Sequence, residues 1–539
     1  MSINSNNSPP QRQDYLELQA DVLVVGGGMA AAWAAIGAAR SGASVLMIDK
    51  GYVGTSGVTA TAGPGHWFVP QDAEKRAAAI AQREAIAFGL ADRGWMARIL
   101  EETWQQLPTI EGFYKFPRNE EGVKLYAPVR GPEYMRALRQ AAEDLGVRIL
   151  DQSPALSLLR HKDGSIAGAR GIRRQTGEAW CTRAGAVVLA TGGCAFFSRL
   201  LGSQTNTGDG YLMAAEAGVA LSGMEFSSHF TVAPAFSTMA RGMAYAFADY
   251  YGPSKTPLEL PKQPAEFTRA LARALQSGPV YCNFERMPQD IRDRLPYISP
   301  NVLPPFIRHG IDPFVDKFPI TLLAEGTIRG MGGITITDES CQTSVPGLFA
   351  AGDAASRELV AGATSGGGNV NSAWALSSGY WAGQGAAKRA RTIGIRRHDQ
   401  VDSLGGIGLQ RTGSKQSIEP GEIIKIVRKE AASFDRNFFS TEQKLQNSLA
   451  RLETLWKTLQ TDLQSSGVAS VRAREAAALA ATARWSFVAA MHRRESRGMH
   501  VRMDFPELNP AYQQRQIVGG LDSIWSSFEK IPTARAMVA

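Results

Sequence analysis

The residues best placed to do chemistry lie together in the stretch 21–50, DVLVVGGGMAAAWAAIGAARSGASVLMIDK. Gly26, Gly28 and Ala31 make a Gly-x-Gly-x-x-Ala turn, and Met29 and Ala30 stand where a helix begins. Gly26 permits a tight turn, Gly28 leaves room for a pyrophosphate to reach the backbone, and Ala31 lets the helix pack close to a sheet. The free N–H groups and positive dipole end of that helix suit phosphate oxygens. Asp49, 21 residues beyond Gly28, can accept hydrogen bonds from a ribose hydroxyl, with Lys50 next to it. Together these residues point to dinucleotide binding.

The elements that must hold them follow from local pattern. Residues 22–25 are apolar and β-branched, as in a buried parallel strand; the helix after Gly28 stops at Gly42, and residues 44–48 form a second strand. Residues 71–150 read mainly as helix, including 131–145, with a strand at 147–150. Strands at 155–159 and 166–172 suggest a small β-meander, and 184–190 is a buried strand ending in Thr191-Gly192-Gly193. The run 206–210 (NTGDG) precedes a helix over 211–217, which Asp209 can cap. From 420 to about 490 apolar residues recur at three and four positions, the pattern of a helical bundle.

Composition sets the limits. A chain of 539 residues divides into several units. With 44% hydrophobic and 20% charged residues it is an ordinary globular protein. The net charge of +8 comes from scattered Lys and Arg without interleaved aromatics, which argues against nucleic acid and for an anionic cofactor, substrate or acidic redox partner. Cys181, Cys194, Cys282 and Cys341 form no Cys-x-x-Cys pair, so neither an iron–sulfur cluster nor another metal site is expected in this chain. The polar residues 1–19 lack the apolar core of a signal peptide, and no run of 18 apolar residues occurs, so a cytoplasmic protein without a membrane span is expected.

Several motifs carry a family resemblance. The small-residue stretch 51–65 (GYVGTSGVTATAGPG), Thr191-Gly192-Gly193, the NTGDG segment, Met224-Glu225-Phe226, Met331-Gly332-Gly333-Ile334, the strand over 345–352 that ends at Gly352 and Asp353, and Glu495-Ser496-Arg497-Gly498-Met499-His500 all resemble the FAD-dependent superfamily. That superfamily comprises the flavoprotein subunits of succinate dehydrogenase and fumarate reductase, aspartate oxidase and adenylylsulfate reductase. The resemblance implies an α/β fold: a Rossmann-like FAD-binding domain, an inserted α+β capping domain and a C-terminal helical domain. The implied bounds are a disordered tail at 1–19, the FAD domain at 20–226 and 328–395, the cap at 227–327, a polar linker at 396–419 and helices over 420–539. FAD contacts are then expected from Gly26, Gly28, Met29, Ala30, Ala31, Asp49 and Lys50. Further contacts are expected from Ser56, Gly57, Thr59, Ala62, Gly63, Ala155, Thr191, Gly192, Gly193, Thr207 and Asp209. The returning half should add Gly352, Asp353 on the ribityl chain, and Asn369 and Asn371 at a helix start facing the flavin.

The same resemblance marks departures. Gly57 stands where respiratory members carry the histidine bonded to FAD, and His66 is out of register, so FAD should be held without a covalent link. Leu275 replaces a proton-donor arginine, Ile328 a histidine, and Thr364-Ser365-Gly366-Gly367 the segment with a substrate-clamping arginine. The expected activity is thus hydride or electron transfer between FAD and a small substrate, without the dicarboxylate catalytic set. His229, Arg286 and Arg329 are the candidate catalytic groups, and Arg497, His500 and Arg502 read as structural ion-pairing groups or anion contacts, the structural role being favoured because buried arginine usually serves an ion pair. An alternative is a protein like the adenylylsulfate reductase flavoprotein, exchanging electrons with a separate ferredoxin-like iron–sulfur protein. A flavin-containing, RNA-associated protein without turnover has only the basic charge in its favour.

Overall fold

The computed structural model describes residues 15–240, 243–261, 264–409 and 418–529. Its centre is an eight-stranded sheet. Arg148–Leu150, Val45–Ile48, Leu16–Val25, Ala179–Leu189 and Leu348–Ala350 run parallel, and the order continues from Ala179–Leu189 through Ile166–Ile172 and Ala155–His161 to Val401–Ser403 in antiparallel pairing. The first half of Ala179–Leu189 pairs with the meander and its last three residues with the returning strand, with Val25 and Ala350 both facing Leu189. The two halves of the FAD domain therefore meet on one strand.

Leu16–Val25 alternates in burial at its start and is almost wholly buried at its end, where helices cover both faces. The strand starts at Leu16 rather than at 22, so residues 16–19 belong to the sheet and not to the polar tail; residues 1–14 lie outside the described residues. The helix Met29–Arg40 packs against the long helix Gly367–Ile393 at very close range. A Cβ on Gly379 would lie 2.4 Å from the Ala30 carbonyl oxygen, and one on Gly383 2.0 Å from that of Ala34. Between strands, Ala73–Ala85 and Arg93–Gln106 begin with Asp72 and Asp92 accepting from the Lys75 and Trp95 amides.

The cap is a four-stranded antiparallel sheet, in the order Phe230–Pro234, Phe318–Ala324, Tyr281–Asn283, Asp249–Tyr251, with helices Pro264–Ser277, Gln289–Ile298 and Pro304–Arg308. Its core is separate and aromatic: Phe284, Phe306 and Phe318 meet edge to face with ring centroids 4.7–6.0 Å apart.

The C-terminal helices Pro420–Ala431, Glu442–Asp462 and Ala469–His492 pack together, and Ala469–His492 is buried along most of its length. Two of its buried arginines, Arg474 and Arg484, are matched by Glu216 and Glu453. The C-terminal region is not helical throughout. Arg515–Gly519 and Trp525–Glu529 form a hairpin that joins Leu221–Ser222 and Gly333–Ile334 in a third sheet. The stretch read as a polar linker is also partly ordered, since Val401–Ser403 is the edge strand of the main sheet; residues 410–417 lie outside the described residues. No helix among the described residues is long and apolar enough to cross a membrane.

Candidate functional site

A cavity opens at the carboxyl ends of the parallel strands, the usual ligand position on an open α/β sheet, and reaches Ile328 and Arg329 where the chain returns from the cap. At one end lies the fingerprint turn. Gly26 sits at φ +129°, and a Cβ there would be 2.2 Å from the Ala190 carbonyl oxygen, so only glycine fits. Gly28 is the N-cap of Met29–Arg40, and no side chain caps it, which leaves the first-turn N–H groups of that helix toward the cavity. Gly28, Met29 and Ala30 line the wall; Ala31 is fully buried behind them.

Asp49, at the end of Val45–Ile48, accepts from the Ser56 hydroxyl and from the Gly51 amide at 3.1 Å. Burial raises its pKa above the usual carboxylate value, against the lowering effect of those bonds. Gly57, Thr59, Ala62 and Gly63 continue the wall, with Ala155 beside Pro154. Gly57 is at φ +80°, and a Cβ on it would be 3.1 Å from the Gly28 Cα, so the backbone here is built for glycine.

Lys50 and Asp209 reach the cavity but are already engaged. Lys50 Nζ donates to Thr207 Oγ1 at 2.6 Å, Asp209 Oδ2 at 2.7 Å and Glu475 Oε1 at 3.1 Å. Burial acts to lower its pKa, but the Asp209 and Glu475 carboxylates outweigh that and the net shift is upward. The group thus ties the cavity floor to the C-terminal helix Ala469–His492. Thr207 does not reach the wall; its hydroxyl bonds Asp209 Oδ1 at 2.8 Å. Gly193 likewise packs on Thr327, while Thr191 and Gly192 face the cavity.

The returning half closes the far side with Asp353, Asn371, Ser372 and Ala375. Gly352 stands behind them, its amide donating to Ser378 Oγ and its carbonyl accepting from Trp374 Nε1, both at 2.9 Å. Asn369 is exposed off the wall, and its carbonyl accepts from the Trp67 amide at 3.1 Å. Three polar atoms are buried at the cavity with no partner in the protein: Thr191 Oγ1, and Oδ1 and Nδ2 of Asn371. Buried polar groups are nearly always bonded. Orphaned ones beside a glycine-lined cradle fit a ligand rich in hydroxyls and ring heteroatoms, as FAD is.

The three candidate catalytic groups separate. Arg329 lines the cavity, with its Nε 3.6 Å from Oε2 of Glu325. His229 lies off the wall but at the same junction, its Nε2 3.9 Å from Oε1 of Glu325. Arg286 is not brought to the site: it pairs with Asp249 at 2.8 Å on the outer strand of the cap and its side chain is 60% exposed. Two residues were missed. Glu325, 1% exposed, sits between Arg329 and His229, and Arg357, also 1% exposed, pairs with Asp353. No local pattern points to the second, because extended backbone at Ala355 separates the turn of Asp353 from the helix that Arg357 begins.

Arg497, His500 and Arg502 stand apart from the cavity in a buried ion network. Arg493 bridges Glu225 (2.8 Å) and Glu495 (2.9 Å), Arg497 joins Glu495 (2.6 Å), and Arg502 holds Asp504 (2.9 Å). His500 Nε2 lies 2.9 Å from the Arg493 carbonyl, and burial lowers its pKa to about 3.

Comparison with known proteins agrees with this geometry. The family model described as an FAD binding domain matches residues 21–239, and that of the fumarate reductase flavoprotein C-terminus matches residues 430–521. One of the subunits of a fumarate reductase (CoM/CoB) from Methanothermobacter marburgensis is 27% identical over 92% of this chain and 96% of its own. An L-aspartate oxidase from Mycobacterium leprae is 27% identical over 93% and 95%. A quinol fumarate reductase structure from Escherichia coli, 22% identical, superposes with a TM-score of 0.80 over 96% of this chain and 98% of the other, a likeness of fold. The chain is an FAD-dependent oxidoreductase and belongs to the superfamily that contains the fumarate reductase flavoproteins and the L-aspartate oxidases.

Proposed function

We propose that this chain holds FAD without a covalent link and exchanges hydride between it and a small substrate that is not a dicarboxylate, bound where the cap meets the FAD domain. The observation that supports this best is the single cavity bordered by both Gly26–Gly63 residues and Asp353–Ala375 residues, some three hundred positions apart. Bound FAD supplies the two-electron chemistry; the protein supplies binding, orientation and electrostatics. The fingerprint turn would take the pyrophosphate, Asp49 a ribose hydroxyl and Asp353 the ribityl chain. The helix Gly367–Ile393, whose first turn brings Gly368 and Asn371 to the cavity, would place its N-terminal amides to stabilise negative charge on reduced cofactor. Arg329, steadied by Glu325, is the charged group available to orient substrate, and His229, its Nε2 3.9 Å from the same carboxylate, is the group placed to give or take a proton. Gly57 offers no side chain for a flavin bond, and Leu275, Ile328 and Ser365 supply none of the dicarboxylate-handling groups.

An anaerobic screen tests this. Metabolites are added to purified protein while the flavin absorption is followed; a small substrate other than succinate or fumarate should bleach or restore it. Turnover of fumarate or succinate at rates like those of other substrates would refute the substrate assignment.

A second reading has one observation in its favour: the similarity extends along nearly all of a relative that is itself one component of a multi-chain fumarate reductase. In that reading electrons pass to a separate iron–sulfur chain of acidic surface, attracted by the +8 charge of this one. Co-purification with a brown iron–sulfur protein, and flavin reduction through it, would support it.

A further inference from the structure

We infer that Arg357 is a positioning residue for the cofactor cavity, locking the turn that carries Ile328 and Arg329 to the turn that carries Asp353. This rests on the reading that the cavity holds FAD. Arg357 itself does not line the cavity, but Ile328, Arg329 and Asp353 do. Its Nη2 donates to the carbonyls of Thr327 at 3.1 Å, Ile328 at 2.5 Å and Gly330, and its Nη1 pairs with Asp353. All three carbonyls belong to one turn, residues 326–330, where the chain leaves the last cap strand and re-enters the FAD domain.

One planar, permanently charged fork therefore serves two pieces of wall at once. Lysine, a single ammonium, cannot reach both sets of acceptors. In a buried site such charge-assisted bonds are strong, and losing the guanidinium strands three carbonyl oxygens and a carboxylate. Folding of the turn has other supports. Thr327 Oγ1 accepts from the Cys194 amide at 2.7 Å and lies 2.8 Å from the Tyr211 hydroxyl. The amides of Ile328 and Gly330 bond the Glu325 and Gly326 carbonyls within the turn, at 3.1 and 2.9 Å, while the carbonyls of Ile328 and Gly330 are held by Arg357. The charge matters too, because Asp353 without its partner would place an uncompensated anion beside a cofactor that gains negative charge on reduction.

The test compares full-length wild type, R357K and R357A for FAD affinity, flavin midpoint potential and apoprotein melting temperature. Both variants should bind FAD about tenfold more weakly, or about 1.4 kcal/mol. R357A alone should show a more negative potential, a change that a purely structural role would not produce. Added guanidinium chloride, at a concentration that leaves wild type folded, should restore affinity and potential to R357A, whereas tetramethylammonium should not. FAD affinities within about twofold of wild type in both variants would overturn the inference. So would weakened binding in R357A with an unchanged potential and no guanidinium rescue. If R357A yields no folded protein, R357K affinity decides by the same criterion. Wild type that takes up no FAD would overturn the reading of the cavity and this inference with it. Variants that match a flavin-loaded wild type would overturn the inference alone.

Discussion

The two ends of the cavity are built by different means. Around Gly26, Gly28 and Gly57 the wall is mostly backbone, with Asp49 as its acidic side chain, and steric room and N–H direction decide what fits. At the cap junction the wall carries a charged side chain, Arg329, held from behind by Glu325, on a turn that Arg357 holds. A backbone wall tolerates almost no substitution but recognises a shape that every chain of this superfamily needs. A wall of side chains can be rewritten one residue at a time. In the proposed reading the cofactor end would fix what class of chemistry is possible, and the junction would decide on which substrate.

Breaking the backbone end should have the largest effect. Gly26→Ala drives a methyl group to 2.2 Å from the Ala190 carbonyl at a φ of +129°, which forces the turn away from the end of Ala179–Leu189. The cost should exceed about 3 kcal/mol, and the purified variant should be colourless and melt well below wild type. A yellow Gly26→Ala protein of normal stability would erase the distinction drawn between the two ends.

At the junction the outcome should be selective. Arg329→Met should leave flavin content unchanged and slow substrate-driven flavin reduction by about a hundredfold, equivalent to about 2–3 kcal/mol. Stopped-flow reduction with a substrate found in the anaerobic screen reads this directly. Loss of flavin instead would move Arg329 to the cofactor wall.

Asp49 sharpens the comparison because stability and binding should move in opposite directions. Its folded-state pKa is raised, mainly by burial, so the ionised group weakens the folded apoprotein as pH rises through that value. Asp49→Asn removes the buried charge while keeping an acceptor. The apoprotein should melt slightly higher at neutral pH, and FAD should bind about tenfold more weakly, through loss of about 1.5 kcal/mol of charge-assisted bonding. Isothermal titration and thermal melts check the two signs.

The smallest effect lies behind the cofactor wall. His66 is buried against Tyr134, with Nε2 3.4 Å from its hydroxyl, and burial lowers its pKa from 6.5 to about 4. The neutral ring is carried in the folded state while the unfolded chain takes up a proton below 6.5, so stability is full above that value and falls as pH drops toward 4. At one unit below 6.5 the loss is about 1.4 kcal/mol. Denaturant unfolding of wild type and His66→Gln at pH 7.5 and 5.5 isolates it, since the difference between the two proteins cancels other groups; equal losses would refute the assignment.

Legibility in the sequence follows the same division. The fingerprint turn, Asp49 and the Gly352–Asp353 turn were readable because each rests on a glycine or an acid at a fixed distance from a strand end, a requirement met within a few residues. Glu325 and Arg357 were not, because what makes them matter is a partner brought by tertiary folding: Arg329 and His229 for one, three carbonyls of the cap return for the other. Arg286 was misplaced for a related reason. Its charge is taken by Asp249, on a cap strand whose pairing no local pattern revealed. The hairpin of Arg515–Gly519 and Trp525–Glu529 escaped notice because its strands are short and find their order only against Leu221–Ser222. The edge strand Val401–Ser403 reads as polar linker because an edge needs apolar residues on one face only.

The central claim, that two distant halves of the chain enclose one FAD held by contacts alone, is tested most directly by acid precipitation of the purified protein with flavin assayed in both fractions. The account predicts yellow protein with one FAD per chain, all of it released to the supernatant. Flavin that stays with the precipitated polypeptide, or a colourless protein that takes up no added FAD, would contradict it.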